Sequence, residues 1–322
     1  MLMEHTLGLQ LSHATEVGAI AAARAAGFGD KKKADEASVK EMRKFFNKVE
    51  FSGKVVIGEG ERDEAPMLFI GEKLGKGNGL TVDIAVDPLE NTNATSKLGP
   101  RAISVLAASE KGGLFHAPDM YMNKLVVGPE SAGKVDIDAP VKKNLASISE
   151  SLKRTTKDLV VVILDRDRNE ELIDGVRKAG ARVKLIPDGD LMPGIAASMR
   201  GTGVHAVMGI GAAPEGVMTA AAIRCIGGEM QARFWPKNKG ELKRLKKMGG
   251  SDRKVYNEND LASGKTIIFC ATGVTNGDIL KGVRFFGGGA RTHSLVMSTQ
   301  SEKVRFVDTT HTFSKKEIKY ML

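Results

Sequence analysis

Acidic side chains recur in this 322-residue chain where apolar runs end. "VVIGEGERDEAP" carries Glu59, Glu61, Asp63 and Glu64, "VDIAVDPLENT" carries Asp87 and Glu90, "LIPDGD" carries Asp188 and Asp190, and "GIGAAPEG" carries Glu215. The chain as a whole has a net charge of +9, so acids gathered behind apolar segments need a cause. Converging carboxylates repel one another unless a cation neutralises them. Hard divalent ions such as Mg2+ and Mn2+ take carboxylate oxygen, and two of them can clamp a phosphoryl group and acidify a bound water. The competing reading is ordinary turn chemistry: loop acids and Asp-Gly-Asp turns are common, and Asp35 suits a helix cap. No serine-histidine-aspartate arrangement stands out. The six histidines, at 5, 13, 116, 205, 293 and 311, form no local metal or base motif and read as structural. The glycine stretches "GFGDKK" and "GGGAR" lack phosphate-loop spacing.

The elements that must hold these acids read as follows. Residues 10–26 predict a helix closed by Gly27. Asp35 opens a second helix, with Val39, Met42, Phe45, Phe46 and Val49 at helical spacing. "GKVVIGEGERDEAP" is a short strand ending in an acidic loop, "TVDIAVD" is a strand that stops at Asp87, and "AISVLAASEKGGLFHAPDMYMNKLVVG" holds two or three more. Poor alternation of strand and helix here predicts an α+β half with a largely antiparallel sheet. From "DLVVVILDRDR" to "VMTAAAIRCIGG" strands and helices alternate through short loops, which predicts a parallel, doubly wound sheet. The expected fold class is therefore α/β with an α+β half. The expected domains are 1–155 and 156–322, divided in "SLKRTTK", with strands at about 290–312 returning to the first sheet.

Composition narrows the function classes. With 42% hydrophobic and 27% charged residues the chain is globular. Its Lys and Arg are spread along the chain, and clusters such as "ELKRLKKMGG" have no interleaved aromatics, so a nucleic-acid partner is not expected. Cys225 and Cys270 have no zinc-ligand spacing and read as buried free thiols in a reducing cytoplasm. The N-terminal stretch has neither a basic region nor an uninterrupted apolar one, so no signal peptide and no membrane partner are expected.

Asp87-Pro88-Leu89-Glu90, followed by Thr92, resembles the D-P-x-[DE]-G-T signature of the lithium-sensitive, metal-dependent sugar and inositol phosphatases. Together with "VVIGEGERDEAPML", "APDMYMNKLVVGP", "IPDGD" and "GIGAAPEGV" it is similar to class II fructose-1,6-bisphosphatase of the glycerol-operon type, over about residues 10–310. "GGLFHAPDMYM", "GVRFFGGGARTHSLVMSTQS" and "VRFVDTTH" resemble the bifunctional fructose-1,6-/sedoheptulose-1,7-bisphosphatases of photosynthetic bacteria.

The resemblance implies an α/β/α/β/α layered sandwich and hydrolysis of a sugar 1-phosphate with two or more Mg2+ or Mn2+ ions. It implies that Asp35 and Glu59 bind one metal and that Asp87, Glu90 and Glu215 bind another. Asp63 and Thr92 would orient and deprotonate the attacking water. Glu90, Asn91 and Thr92 would line the scissile phosphate, Tyr121 would touch the substrate, and Arg166, Asp167 and Arg168 would take the remote phosphate. Asp188, Gly189 and Asp190 would meet sugar hydroxyls, and Ala212 would approach through its backbone. It also implies a cytoplasmic homodimer or homotetramer. Two departures stand out: Asn91 replaces the signature glycine, and Phe28 replaces an arginine usual in "GRGDK". Asparagine tolerates left-handed backbone, but its side chain is expected to crowd a phosphate. Two alternatives stay open: another lithium-sensitive phosphomonoesterase acting on an inositol phosphate or a nucleotide, and a weakened sugar-phosphate-binding regulator.

Overall fold

The apolar stripes seen in the sequence become buried faces in the computed structural model, which describes residues 2–58 and 68–313. The first helix, α1 (Leu2–Arg24), begins earlier than expected because Met3 and Leu7 extend the buried stripe of Leu11, Ala14 and Ala22. The second, α2 (Lys31–Phe46), starts four residues before Asp35: Asp30 is its N-cap, accepting from the Lys33 amide at 3.0 Å. Asp35 therefore lies inside the helix and does not open it. Then come β1 (Phe51–Ile57), β2 (Lys73–Leu74), β3 (Leu80–Glu90), α3 (Thr92–Ser96) and β4 (Ile103–Glu110). The middle of the chain forms β5 (Tyr121–Val127), α4 (Val141–Ser151), β6 (Val160–Leu164), α5 (Glu170–Lys178), β7 (Arg182–Ile186) and α6 (Leu191–Ser198). It continues through β8 (Ala206–Ala212), α7 (Ala213–Ile226), β9 (Glu229–Trp235), α8 (Lys239–Lys247), β10 (Tyr256–Asn257) and α9 (Glu258–Leu261). The last strands are β11 (Ile267–Gly273), β12 (Arg284–Phe286), β13 (Gly289–Ser298) and β14 (Lys303–Thr312).

The protein is of the α/β class, with two sheets that each mix parallel and antiparallel pairs. Contacts group residues 1–108 with 268–322 in one unit and residues 109–267 in the other. In the first unit an eight-stranded sheet runs β12-β13-β11-β4-β3-β1-β2, with β14 on the other side of β13. Most of its described pairings are antiparallel, as expected, and β1 and β3 form a parallel pair within it. Helices α1 and α2 bury Leu7, Leu11, Val39, Met42 and Phe46 with Val55, Val82 and Ile84. Gly18 permits that approach, since a Cβ there would fall 2.8 Å from Met42 Cγ.

In the second unit the sheet runs β10-β9-β5-β8-β6-β7. Only β6, β7 and β8 are parallel; β5 pairs antiparallel with both β8 and β9, so the doubly wound expectation covers half of this sheet. Its core joins Leu125 and Val127 of β5 to Val161 and Ile163 of β6 and to Leu145, Ile148, Ile173 and Val176 of α4 and α5. Cys225 and Cys270 are buried and share no disulfide, as expected.

Candidate active site

The strand ends of the second unit gather most of the expected substrate residues. Strands β6, β7 and β8 finish at Leu164, Ile186 and Ala212, and antiparallel β5 begins at the same end, with Tyr121 opposite Ala212. Ligand groups collect outside the carboxyl ends of such strands. Arg166, Asp167 and Arg168 follow β6, Asp188, Gly189 and Asp190 follow β7, and Ala212 closes β8. Glu215 sits in the first turn of α7. Gly189 has φ 75°, a left-handed turn position where glycine is least strained.

The two arginines do not project from one extended segment. Arg166 is extended, but residues 167–169 form a 3-10 turn, so simple alternation does not set their directions. Arg168 instead folds over Tyr121, its Cζ 4.1 Å from the ring centre, while its Nε donates to the Ile210 carbonyl at 3.0 Å. Arg166 donates to the Asp165 carbonyl at 3.0 Å. Lys237 lies over the same tyrosine ring, Nζ 4.0 Å from its centre.

A buried ion pair organises the acids. Lys124 Nζ lies 2.6 Å from Asp190 Oδ2, with the two side chains only 3% and 8% exposed. The same ammonium donates to the Ala212 carbonyl at 3.1 Å, so that backbone oxygen is already engaged. Gly211 makes the pair possible: a Cβ there would fall 2.2 Å from Asp190 Oδ2 and 2.8 Å from Lys124 Nζ. Glu215 behaves differently. Burial pushes its pKa up to about 7; Lys124 pulls it down, but Asp190 and Asp188 push it further up. The residue is half-buried as a whole, yet its Oε2 is fully shielded and has no hydrogen-bond partner among the described residues. An ionised carboxylate in that position is stabilised by a cation from outside the chain. Its all-oxygen donor chemistry fits Mg2+ or Mn2+.

In the first unit β3 does not stop at Asp87: it runs on through Pro88 to Glu90. Asp87 Oδ1 accepts from the Leu89 amide at 3.1 Å, and Glu90 is buried at the strand's last position. Ser38 Oγ donates to the Pro88 carbonyl at 2.7 Å and pins α2 against this segment; Asp35, half-buried, lies one turn earlier on α2. Asn91 has φ 69° and ψ 54°, the left-handed conformation expected of the signature glycine. Its side chain turns into its own helix, where Oδ1 accepts from the Ala94 amide at 3.1 Å, so Asn91 is the N-cap of α3. Thr92 is the first residue of that helix. The Gly27 and Gly29 amides donate to the carbonyls of Thr95 and Ser96 at 2.9 and 3.0 Å, tying the glycine loop to α3 and leaving Phe28 79% exposed. Glu59 and Asp63, with Glu61 and Glu64, lie outside the described residues.

Among the described residues, one group of three His, Cys, Asp or Glu side chains brings its ligand atoms within 4.8 Å of one another, and it consists of His13, Glu16 and His311. The expectation that the histidines make no metal motif holds only locally in sequence, because His311 reaches this group from β14. No helix among the described residues is long and apolar enough to cross a membrane.

The profile of the family described as bacterial fructose-1,6-bisphosphatase, glpX-encoded, matches residues 5–311. The chain belongs to this family. It is 50% identical to the D-fructose 1,6-bisphosphatase class 2/sedoheptulose 1,7-bisphosphatase of Synechococcus sp. strain JA-3-3Ab, over 96% of each chain. It is 49% identical to the protein of the same description from Synechococcus elongatus, over 97% of each chain. The Crocosphaera subtropica protein of that description is 48% identical, over 96% of this chain and 97% of its own. Within this glpX-type chain, sequence reasoning missed Lys124 and Lys237. Lys124 had a visible signal, a lysine beside the apolar "LVV" run of the "MNKLVV" strand. Lys237 had none, because it reaches Tyr121 from the loop after β9.

Proposed function

We propose that this glpX-type protein hydrolyses the 1-phosphate of fructose 1,6-bisphosphate to fructose 6-phosphate and inorganic phosphate, and that it also accepts sedoheptulose 1,7-bisphosphate. The observation that carries this reading is Glu215, its shielded Oε2 without a hydrogen-bond partner among the described residues and its pKa raised to about 7 beside the Lys124–Asp190 pair, in a chain similar throughout to named bisphosphatases. Mg2+ or Mn2+ would be held by Asp35, Glu59, Asp87, Glu90 and Glu215. When bound, such ions neutralise phosphoryl oxygen and acidify water.

The chain's own residues divide the remaining work. Thr92 accepts a hydrogen bond from the attacking water and passes its own hydroxyl proton toward the Asp63 carboxylate, which acts as general base. The water oxygen attacks phosphorus in line, the bond from phosphorus to the sugar oxygen breaks, and that oxygen takes a proton from solvent and leaves as the alcohol. No covalent phosphoenzyme forms. Arg166, Arg168 and Lys237 hold the remote phosphate around Tyr121, and this binding energy positions the reacting end. Asp188 and the Gly189 turn meet sugar hydroxyls, while Asp190 is committed to Lys124 and positions it. Asn91 keeps the turn that delivers Thr92, with its side chain folded into the α3 cap. The protein acts in the cytoplasm as a homodimer or homotetramer.

Phosphate release from fructose 1,6-bisphosphate, sedoheptulose 1,7-bisphosphate and inositol 1-phosphate, each with Mg2+ and with Mn2+, tests the proposal. Turnover of the two bisphosphates above the monophosphate, abolished by EDTA, is expected. Absence of turnover on both bisphosphates, or turnover indifferent to EDTA, would overturn it.

A further inference from the structure

Within the first unit, α1 and β14 bring together three side chains that the phosphatase reading does not use. His13 and Glu16 are three residues apart on α1, a spacing that puts them on one helix face. His311 is the second-to-last residue of strand β14. Glu16 Oε2 lies 3.1 Å from His13 Nδ1 and 3.8 Å from His311 Nε2, and the three ligand atoms all fall within 4.8 Å of one another. Zinc-ligand bonds of about 2.0–2.2 Å in a tetrahedron separate neighbouring ligand atoms by roughly 3.3 Å. The 3.8 Å separation and the widest one both have to shorten, and His13, packed on the Phe45 ring with its side chain 44% exposed, is the least buried of the three ligands and the one to shift.

The other two ligands are held in place. Glu16 is 5% exposed, and its second oxygen accepts from the Thr309 hydroxyl at 2.8 Å, which leaves Oε2 facing the histidines. His311 sits beside Thr292, Nε2 to Oγ1 2.9 Å, and metal entry exchanges this hydrogen bond for coordination. Burial lowers the His311 pKa, Glu16 raises it and His13 lowers it again, with a net shift downward. The group opens onto a pocket of about 350 Å³ lined also by Arg24, Glu41 and Phe313, which leaves room for a fourth ligand from solvent.

We propose that His13, Glu16 and His311 form a binding site for a borderline divalent cation, with Zn2+ as the matching ion, which clips α1 to β14. Two imidazoles and one carboxylate suit zinc and disfavour Mg2+, which takes oxygen. This ligand set differs in chemistry from the all-carboxylate set proposed for catalysis, and the inference does not depend on that proposal.

The full chain is stripped with EDTA, saturated with Mg2+ to occupy oxygen sites, and titrated with Zn2+ by calorimetry and by melting temperature. Wild type is expected to bind one more Zn2+ per chain than His13→Ala and to gain several degrees in melting temperature from Zn2+ that the variant does not gain. His311→Gln serves as the second variant and should weaken the same binding at least about tenfold. Melting in EDTA reports whether each variant folds; because His13 is half exposed, His13→Ala should melt there within a degree or two of wild type. Equal zinc stoichiometry in wild type and a folded variant, or an equal thermal shift, would overturn the proposal.

Discussion

Two regions of this protein each place acids behind an apolar strand, and they stabilise them by different means. At the end of β3 the chain uses its own backbone for one of them: Asp87 is held by the Leu89 amide, while Asn91 turns left-handed to cap α3. At the ends of β7 and β8 it uses a buried lysine, which neutralises Asp190 and leaves Glu215 with burial as its dominant influence. Acids of similar sequence context thus serve different purposes. Asp190 has a protein counter-ion in Lys124, whereas in the function proposed here Glu215 is the acid reserved for a cation the chain does not itself supply.

Breaking each half of that contrast gives distinct outcomes. The largest effect is expected from Glu215→Gln, which should lower kcat/KM by about a thousandfold, or about 4 kcal/mol, with the fold intact by circular dichroism. Lys124→Met should act on stability, because removing one partner of a buried pair costs about 3–5 kcal/mol; urea unfolding reads this directly. A loss below about 1 kcal/mol would show that Asp190 does not rely on its lysine.

The pH dependence sharpens the same point. Glu215 has a folded pKa raised above its ordinary 4.5, so its contribution to stability is fully present below that value and is lost as pH rises through about 7. In EDTA the melting temperature should therefore decline across this window, and Glu215→Gln should flatten the decline. A wild-type profile no steeper than that of the variant would remove Glu215 from the account.

The smallest effects belong to β3. Asn91→Ala loses the cap and keeps the left-handed strain, for about 1–2 kcal/mol. Asn91→Gly loses the cap but relieves the strain, so stability should stay within about 0.5 kcal/mol and turnover within about twofold. A large gain in turnover for Asn91→Gly would mean that the asparagine does crowd the phosphate.

Much of this was legible in the sequence because strand ends declare themselves. The strand segments "VVVIL" and "VKLI" stop just before Arg166 and Asp188, and glycines mark the turns. The left-handed turn at Asn91 could be anticipated from the residue type and its place in the signature. Pairing could not. The insertion of antiparallel β5 between β8 and β9, and the parallel pairing of β1 with β3, depend on contacts between segments far apart in the chain. The same limit hid the direction in which side chains settle: Arg168 folding onto Tyr121, Asn91 onto Ala94, and His311 returning to Glu16. The caps misled as well, because Asp30 and Asp35 both suit a helix start and only packing selects the first.

The most direct test of the central claim, that Glu215 is reserved for a catalytic cation while Asp190 is structural, pairs two readings on Glu215→Gln. These are phosphate release from fructose 1,6-bisphosphate in saturating Mg2+ or Mn2+, and melting temperature in EDTA at pH 7.5. The account predicts at least a hundredfold loss of turnover together with a melting temperature equal to or above wild type. Wild-type turnover in this variant, or loss of its fold, would contradict it.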